Sequence, residues 1–270
     1  MREQQLINSQ KRPITINNIV QDLRRLGVRE GDSVLVHASL SRLGWVCGGP
    51  QAMVQALMQA VGDEGTLIMP AQSGDWSDPA EWGNPPVPEE WYETIYRELP
   101  AFDPALSPTR GMGRIAELFR TFPATVRSAH PQVSFCANGK YAELITSEHM
   151  LSPQFGMASP LGKLYGLGAK VLMLGTGYES CTSFHLAEAI CERLPMKQLG
   201  TAIYEGDERV WKWFTDFAYD SADFAQIGQC YDYEGSVQKG AVGSAESRLF
   251  DLKEAVDFAK QWLMFHRAME

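Results

Sequence analysis

The sequence has few of the residues that build disulfide frameworks and metal cages. Its 270 residues include five cysteines and five histidines. The cysteines are odd in number and scattered, and none forms a CxxC pair, which argues against both a disulfide-stapled secreted domain and a structural zinc site. No HxxxH or HExxH motif occurs, so the histidines offer no local metal site either. The sequence therefore predicts a protein without a metal, in a reducing compartment.

Long apolar runs and an excess of basic residues are also missing. No stretch of about 18 apolar residues occurs, as a transmembrane helix requires, and the opening MREQQLINSQKR lacks the apolar block of a secretory signal. With 33 acidic and 24 basic residues, the formal net charge is −9. An acidic protein suits a cationic ligand better than the phosphates of nucleic acid. We therefore expect a cytoplasmic protein that binds neither nucleic acid nor membrane.

Short apolar strands alternate with amphipathic helices along the chain. The apolar runs predict buried strands at residues 33–36, 66–69, 133–137 and 170–174. Helical periodicity predicts helices at 15–26, after Pro50, after Gly111, at 182–193 and at 251–265. Gly206-Asp207 predicts a hairpin between two strand-like runs. This alternation indicates a layered α/β fold, and the length fits one large domain or two tightly joined halves. We predict a single domain over residues 1–270.

Residues 71–108 differ in character from the rest of the chain. They hold seven of the fifteen prolines, three tryptophans and several acidic residues, among them Asp75 and Asp78. A long irregular segment in a compact domain is usually either functional or disordered, and the tryptophans argue against disorder. The composition therefore predicts an ordered excursion over the surface.

Two loops of small residues stand directly before predicted helices. The first is His37-Ala38-Ser39-Leu40-Ser41, which follows a buried strand, and the second is Thr109-Arg110-Gly111-Met112-Gly113. Free backbone N–H groups at a helix start attract phosphate oxygens, and serine hydroxyls or Arg110 could add further donors. Neither loop has the Walker or the dinucleotide-binding glycine pattern. Ordinary turns with capping side chains therefore remain the alternative interpretation.

A histidine falls in the first turn of the helix predicted in GTGYESCTSFHLAEAICER. Thr182 is a candidate N-cap of this helix, and His185 lies three residues before Glu188, so both side chains share one face. The positive end of a helix favours the neutral imidazole, which is the form that a general base needs. Glu188, Asp220 and Asp223 are candidates for the carboxylate that orients the ring. The alternative is a capping histidine on a solvated acidic face.

Cys181 stands beside the same helix start. A cysteine near a helix N-terminus can have a lowered thiol pKa, which favours the nucleophilic thiolate. A cysteine nucleophile that carries the acyl group is therefore an alternative to the histidine base.

Together these segments resemble the aminoglycoside 3-N-acetyltransferase family. The resemblance spans about residues 15–265 and is carried, in the family's order, by VHASLSRLGWVCGGPQ, SGDWSDPAEWGNPPVPEEW, FDPALSPTRGMGRIAELFR, RSAHPQVSFCANG, GTGYESCTSFHLAE and GAVGSAESRLF. It implies a three-layer α/β/α fold, distinct from that of the GCN5-related acetyltransferases. It also implies that acetyl-coenzyme A (acetyl-CoA) is the donor and that an amine of the aminoglycoside, the 3-amino group, attacks it directly.

The resemblance also implies roles for individual residues. Those expected to face the phosphates and pantetheine arm of the coenzyme are His37, Ser39, Leu40, Ser41, Thr109, Gly111, Met112 and Gly113. His185 corresponds to the catalytic histidine, with Thr182 and Glu188 in the same motif. Asp75 and Asp78 are expected to border the acceptor site. Cys181 stands where many relatives have asparagine, a departure that bears on acceptor specificity.

The sequence leaves three matters open. The acceptor could be a different amine metabolite, or the protein could bind acyl-CoA without catalysis. The oligomeric state, including a homodimer, is not determined by any of these patterns.

Overall fold

A seven-stranded mixed sheet forms the centre of the protein, whose computed structural model describes residues 3–267. In chain order, the strands of this part are β1 (Ser33–Ala38), β2 (Thr66–Pro70), β3 (Val126–Arg127), β4 (Phe135–Gly139), β5 (Lys170–Leu174), β6 (Met196–Glu205), β7 (Glu208–Phe217), β8 (Gln238–Val242) and β9 (Ala245–Asp251). The central sheet has the order β3-β4-β2-β1-β5-β9-β8. β1 is parallel to both of its neighbours, and the other pairs are antiparallel. β6 and β7 form a separate hairpin.

Helices surround the sheet. They are α1 (Glu3–Asn8), α2 (Ile16–Leu26), α3 (Leu40–Leu43), α4 (Gly49–Val61), α5 (Tyr92–Glu98), α6 (Gly113–Phe119), α7 (Ala142–Thr146), α8 (Pro160–Leu167), α9 (Phe184–Cys191), α10 (Phe224–Glu234) and α11 (Leu252–His266). Single 3₁₀ turns lie at Gly74–Trp76, Pro79–Glu81, Glu89–Trp91 and Tyr178–Ser180. Within residues 3–267, no helix combines the length and the apolarity needed to cross a membrane.

Alternate residues of the central strands face two separate cores. In β1, Val34 and Val36 pack with α2, α4 and α6, whereas Leu35 packs on the other side with α7 to α11. Successive side chains of a strand point to opposite faces, so a strand that is covered on both faces is a continuous apolar run. β2 and β5 show the same alternation. The predicted three-layer α/β/α sandwich is confirmed.

Most predicted elements lie where the patterns placed them, and the differences are at their ends. The strand of residues 170–174 matches β5, and the hairpin turn at Gly206-Asp207 joins β6 to β7. The strand predicted from residue 133 begins only at Phe135. The reason is a turn before it, in which Nδ1 of His130 accepts the backbone N–H groups of Gln132 and Val133. That turn delays the extended conformation by two residues.

The proline-rich segment 71–108 runs over the surface and is attached to the β6–β7 hairpin. The backbone N–H of Phe102 donates to the carbonyl of Ala202 in β6 at 2.9 Å. The ring of Tyr96 packs on Trp211 of β7 with a centroid distance of 4.8 Å. Aromatic packing and a backbone hydrogen bond thus hold the segment in an ordered conformation on the β6–β7 hairpin.

The three parallel strands end at one edge of the sheet. The chain passes from β1 to β2 on one side and later returns to β5 on the other side of β1. In open α/β sheets, such a switch point leaves a crevice outside the carboxyl ends of the strands, where ligands bind. The topology therefore directs attention to the loop after β1.

Candidate active site

A cleft of about 1160 Å³ opens at the carboxyl ends of β1, β2 and β5. Its wall includes the loop after β1 and the starts of α4, α6 and α9. Ligand pockets commonly measure roughly 300–1,000 Å³, so this cleft has room for a large ligand or for two smaller ones. Its wall includes the first small-residue loop, part of the second, and the histidine singled out in the sequence.

The imidazole of His185 is held by Glu188, one turn further along α9. Nδ1 of His185 lies 2.5 Å from Oε2 of Glu188. Because an ionised carboxylate only accepts hydrogen bonds, we assign the shared proton to Nδ1. In a neutral imidazole Nε2 then carries the lone pair, and the ring lines the cleft. This is the arrangement that a general base requires.

Three aromatic rings fix the orientation of His185. Phe155 stacks on the imidazole with a centroid distance of 4.7 Å and an interplanar angle of 13°. Phe224 packs against it at 4.7 Å, and Tyr219 meets it edge-on at 5.6 Å. The side chain keeps 17% of its surface exposed. The ring is thus immobilised while its free edge remains accessible, which is the preorganisation that a catalytic group needs.

Glu188 is completely buried and is surrounded by donors. Its Oε1 accepts the backbone N–H of Asp220 at 3.2 Å and Nη1 of Arg267 at 2.5 Å. Arg267 also donates from Nε to Asp223 at 2.7 Å. A buried carboxylate requires such compensation. Of the three candidate carboxylates, Glu188 contacts the histidine, whereas Asp223 pairs with Arg267 and Asp220 contributes its backbone.

Thr182 lines the cleft but does not cap α9. The helix begins at Phe184, and Ser183 occupies the N-cap position without a side-chain capping bond. The predicted N-cap is therefore wrong by one residue, because a tight turn follows the 3₁₀ turn at Tyr178–Ser180. In that turn the carbonyl of Thr182 accepts the N–H of His185 at 3.1 Å.

The thiol of Cys181 is fully buried, 3.1 Å from the hydroxyl of Ser183. Burial raises the pKa of this thiol to about 12. A thiol with such a pKa stays protonated near neutral pH and is a poor nucleophile. The structure contradicts the alternative of a cysteine nucleophile, because desolvation outweighs the helix start.

The loop after β1 contributes His37, Ser39, Leu40 and Ser41 to the wall of the cleft. His37 is buried, and burial lowers the pKa of its imidazole to about 4. Its Nε2 has no hydrogen-bond partner among the described residues. The hydroxyls of Ser39 and Ser41 lie 3.3 Å apart. The loop thus presents an uncharged polar surface.

The second small-residue loop is only partly in the cleft. Gly111, Met112 and Gly113 line it, and the two glycines have φ values of 74° and 80°, in the left-handed region that favours glycine. Thr109 is outside the wall of this cleft. Its backbone N–H and hydroxyl both donate to Oε2 of Glu117, at 2.9 and 2.6 Å. Thr109 therefore stabilises the loop through its contacts with α6, outside the cleft.

The arginine that was expected to face a phosphate is engaged elsewhere. Arg110 forms an ion pair with Asp75 at 3.0 Å and donates to the carbonyl of Asn84 at 3.0 Å. Arg114, in the first turn of α6, lines the cleft instead and makes no ion pair within residues 3–267. Sequence reasoning missed Arg114. The available signal was its position directly after Gly111-Met112-Gly113, at the start of the predicted helix.

Asp75 and Asp78 do not line the cleft. Asp75 pairs with Arg110, and Oδ1 of Asp78 accepts the hydroxyl of Tyr96 at 2.8 Å. Gln72, from the same segment, does line it. The segment 71–108 thus borders the cleft through its first residues.

Two further histidines lie away from the cleft. His130 and His149 pack on each other with centroids 4.8 Å apart, and burial lowers the pKa of His149 to about 4. Within residues 3–267, no three His, Cys, Asp or Glu side chains are grouped as metal ligands. All five cysteines are free thiols.

Sequence comparison places the chain among known proteins. The family model for aminoglycoside 3-N-acetyltransferase matches residues 35–264. The SPbeta prophage-derived aminoglycoside N(3')-acetyltransferase-like protein YokD of Bacillus subtilis (strain 168) is 46% identical over 263 residues, which cover 96% of each chain. Aminoglycoside N(3)-acetyltransferase VII of Streptomyces paromomycinus is 34% identical over 282 residues, 97% of this chain and 96% of that protein.

Solved structures agree with the sequence matches. The crystal structure of YokD from Bacillus subtilis has a TM-score of 0.96 at 45% identity and covers 97% of this chain and 98% of that one. The binary structure of AAC-IIIb with CoASH has a TM-score of 0.84 at 31% identity, with coverage of 96% and 99%. AAC-VIa bound to sisomicin has a TM-score of 0.85 at 32% identity, with coverage of 95% and 100%. Both the matched sequence and the shared fold span nearly the whole chain, which therefore belongs to the aminoglycoside 3-N-acetyltransferase family.

Proposed function

We propose that the protein transfers the acetyl group of acetyl-CoA to the 3-amino group of an aminoglycoside, with His185 as the general base. The observation that carries the proposal is the His185–Glu188 pair, oriented by Phe155 and open to a cleft that is large enough for two ligands. Family membership supports the reaction class. The AAC-IIIb structure holds CoASH and the AAC-VIa structure holds sisomicin, so related folds accommodate both kinds of ligand.

His185 activates the acceptor amine. An ammonium group has no lone pair, so it loses a proton to Nε2 of His185, directly or through a water. The free amine attacks the thioester carbonyl and the C–N bond forms. The nitrogen, which is now positively charged, loses its second proton to solvent water, and the C–S bond breaks. The first proton passes from the imidazolium to the departing thiolate. Glu188 stabilises the imidazolium between these two transfers. General-base assistance of this kind contributes about 10²–10⁴ in rate.

The coenzyme occupies the side of the cleft formed by the two small-residue loops. His37 and the hydroxyls of Ser39 and Ser41 offer hydrogen bonds to the amides of the pantetheine arm, while Leu40 offers an apolar contact. Gly111, Met112 and Gly113 leave room for close approach of the phosphates, and Thr109 stabilises this loop. Arg114 supplies the cation for a phosphate, since Arg110 is already paired with Asp75.

The acceptor enters from the side of residues 71–108 and α9. The net charge of −9 attracts a polycationic aminosugar toward the protein. Glu179 is exposed and lines the same cleft as His185, so it offers a carboxylate to an ammonium group of the acceptor. Asp75 and Asp78 lie outside the cleft, a few residues after Gln72, which lines it. Their carboxylates add negative charge near the entrance for the acceptor.

The experiment is release of the coenzyme thiol from acetyl-CoA, followed with a thiol reagent in the presence of a panel of aminoglycosides. We expect release only with drugs that carry a free 3-amino group, and mass spectrometry of the product locates the new amide. If release requires a different amine, that amine and not an aminoglycoside is the acceptor. Tight coenzyme binding without release with any amine would overturn the catalytic proposal in favour of an acyl-CoA-binding protein.

His185→Ala tests the role of the histidine in the same assay. We expect kcat to fall by about 10²–10⁴ because the proton acceptor is lost, with the affinity for CoA unchanged in calorimetry. Tyr233→Ala is the control, since that aromatic side chain is 92% exposed on α10. Loss of CoA binding in His185→Ala would contradict the assignment as a base.

A further inference from the structure

We propose that Arg267 is a positioning residue for the His185–Glu188 pair, so that the end of α11 belongs to the catalytic machinery. The kinetic part of this inference rests on the proposed function. Arg267 lies beyond residue 264, where the family match ends, and outside all the segments that carried the resemblance. Its role is therefore inferred from geometry alone.

The guanidinium of Arg267 joins three acceptors with three different nitrogens. Nη1 donates to Oε1 of Glu188 at 2.5 Å, Nε to Oδ2 of Asp223 at 2.7 Å, and Nη2 to the carbonyl of Asp220 at 2.8 Å. The side chain is only 16% exposed. A planar guanidinium that is satisfied on both edges has little rotational freedom. It connects α9 to the segment that leads into α10.

This connection divides the two oxygens of Glu188 between two tasks. Oε1 accepts from Arg267 and from the N–H of Asp220, so Oε2 is left to accept Nδ1 of His185. Glu188 has no exposed side-chain surface, and water cannot replace a missing partner. Without Arg267 the buried carboxylate would lose the cation that pairs with it. The carboxylate could then turn, and the imidazole would turn with it.

The charges around the pair determine the direction of the pH effect. The groups in contact with the pair are the ring of Tyr219, the backbone N–H of Asp220 and the guanidinium of Arg267, and Asp223 is the ion-pair partner of Arg267. The carboxylate of Asp220 accepts the N–H of Ala222 instead. Arg267 repels a proton on the imidazole, whereas Asp223 attracts one. Removing Arg267 therefore favours the protonated pair, and the acid limb of the pH–rate profile moves to higher pH.

The experiment compares Arg267→Met, Arg267→Lys and Asp223→Asn with the wild-type protein. For Arg267→Met we expect kcat to fall by about 10–10², as for a misplaced catalytic group, with the KM for acetyl-CoA changed by about two-fold at most. The acid limb of kcat/KM moves to higher pH. Arg267→Lys keeps the charge, so it restores the pH profile, but it restores kcat only in part because an ammonium group cannot reach all three acceptors. Asp223→Asn keeps the contact with Glu188 and has the mildest effect. Arg25→Met is the control, since Arg25 lies in an exposed ion pair on α2.

Two outcomes separate this inference from the proposed function. If Arg267→Met lowers only the melting temperature and leaves kcat and the pH profile unchanged, Arg267 is a structural clasp and the inference is overturned. Titration of the His185 ring by NMR in the ligand-free protein needs no substrate. A higher midpoint in Arg267→Met than in wild type supports the inference even if no aminoglycoside is acetylated, and an unchanged midpoint overturns it. If Arg267→Met does not fold, Arg267→Lys is compared by kcat instead, and a wild-type kcat in that variant overturns the inference.

Discussion

Nδ1 of His185 lies 2.5 Å from a carboxylate oxygen of Glu188, and both residues belong to the first two turns of one helix. The spacing of three residues makes this contact a local property of α9. The imidazole faces the cleft, while the carboxylate is buried beneath it among donors from other parts of the chain. The pair therefore has an accessible end for chemistry and a rigid end for orientation.

Replacing Glu188 with glutamine should reduce activity although the side chain hardly changes in size. The amide is nearly isosteric, but it cannot compensate Arg267 and can present N–H₂ to the histidine, which permits the wrong tautomer. We expect kcat to fall by about 10²-fold and the free energy of unfolding to fall by roughly 1–3 kcal/mol, since the mostly buried Arg267 loses one of its two carboxylate partners. The rate of thiol release measures kcat, and urea unfolding measures the free energy of unfolding. Wild-type kcat in Glu188→Gln would refute the orienting role.

Cys181→Ala should leave turnover within about two-fold of wild type, because a thiol whose pKa burial raises to about 12 takes no part as a nucleophile. Iodoacetamide provides an independent measurement in the wild-type protein. Cys47 is exposed and should be labelled first, as detected by peptide mass spectrometry, while Cys181 remains unlabelled. Rapid labelling of Cys181, with loss of activity, would restore the acyl-enzyme alternative.

Arg114→Gln should raise the KM for acetyl-CoA by about ten-fold, as expected for the loss of one charge-assisted contact with a phosphate, and leave the KM for the aminoglycoside unchanged. Added salt should weaken coenzyme binding less in the variant than in wild type. Arg110→Gln is the matched control, since Arg110 is paired with Asp75. An equal rise of KM in both variants would show that Arg114 has no specific role.

The stability of the protein should fall as the pH falls from about 6.5 to about 4. Burial lowers the pKa of His37 to about 4 from the ordinary value of 6.5, so in this window the unfolded state binds a proton that the folded state does not. His149 behaves in the same way. Each group can contribute about 3 kcal/mol at most to the loss below pH 4. In urea unfolding between pH 7 and pH 4.5, His37→Gln should lose less stability than wild type. If the free energy of unfolding falls equally in both proteins, His37 is not the origin of the pH dependence.

The layered fold and the His185–Glu188 pair could be predicted because their signals are local. A strand with both faces covered, such as β5, is a continuous apolar run, and a helical spacing of three residues brings two side chains together in any packing. The sequence pattern located the ends of helices and strands less well than the elements themselves. Ser183, not Thr182, occupies the N-cap of α9, because a tight turn displaced the helix start.

Contacts between distant segments could not be predicted in this way. Burial of Cys181 reversed the expected direction of its pKa, since desolvation depends on what packs around a thiol. Arg110 is turned away from the cleft because residues 71–108 fold back and supply Asp75 to it. Arg267 is 79 residues from Glu188 and reaches it only because α11 packs against α9. Backbone periodicity decides which residues of this chain share a face, whereas the charges and burial that each face meets exist only after the helices have packed.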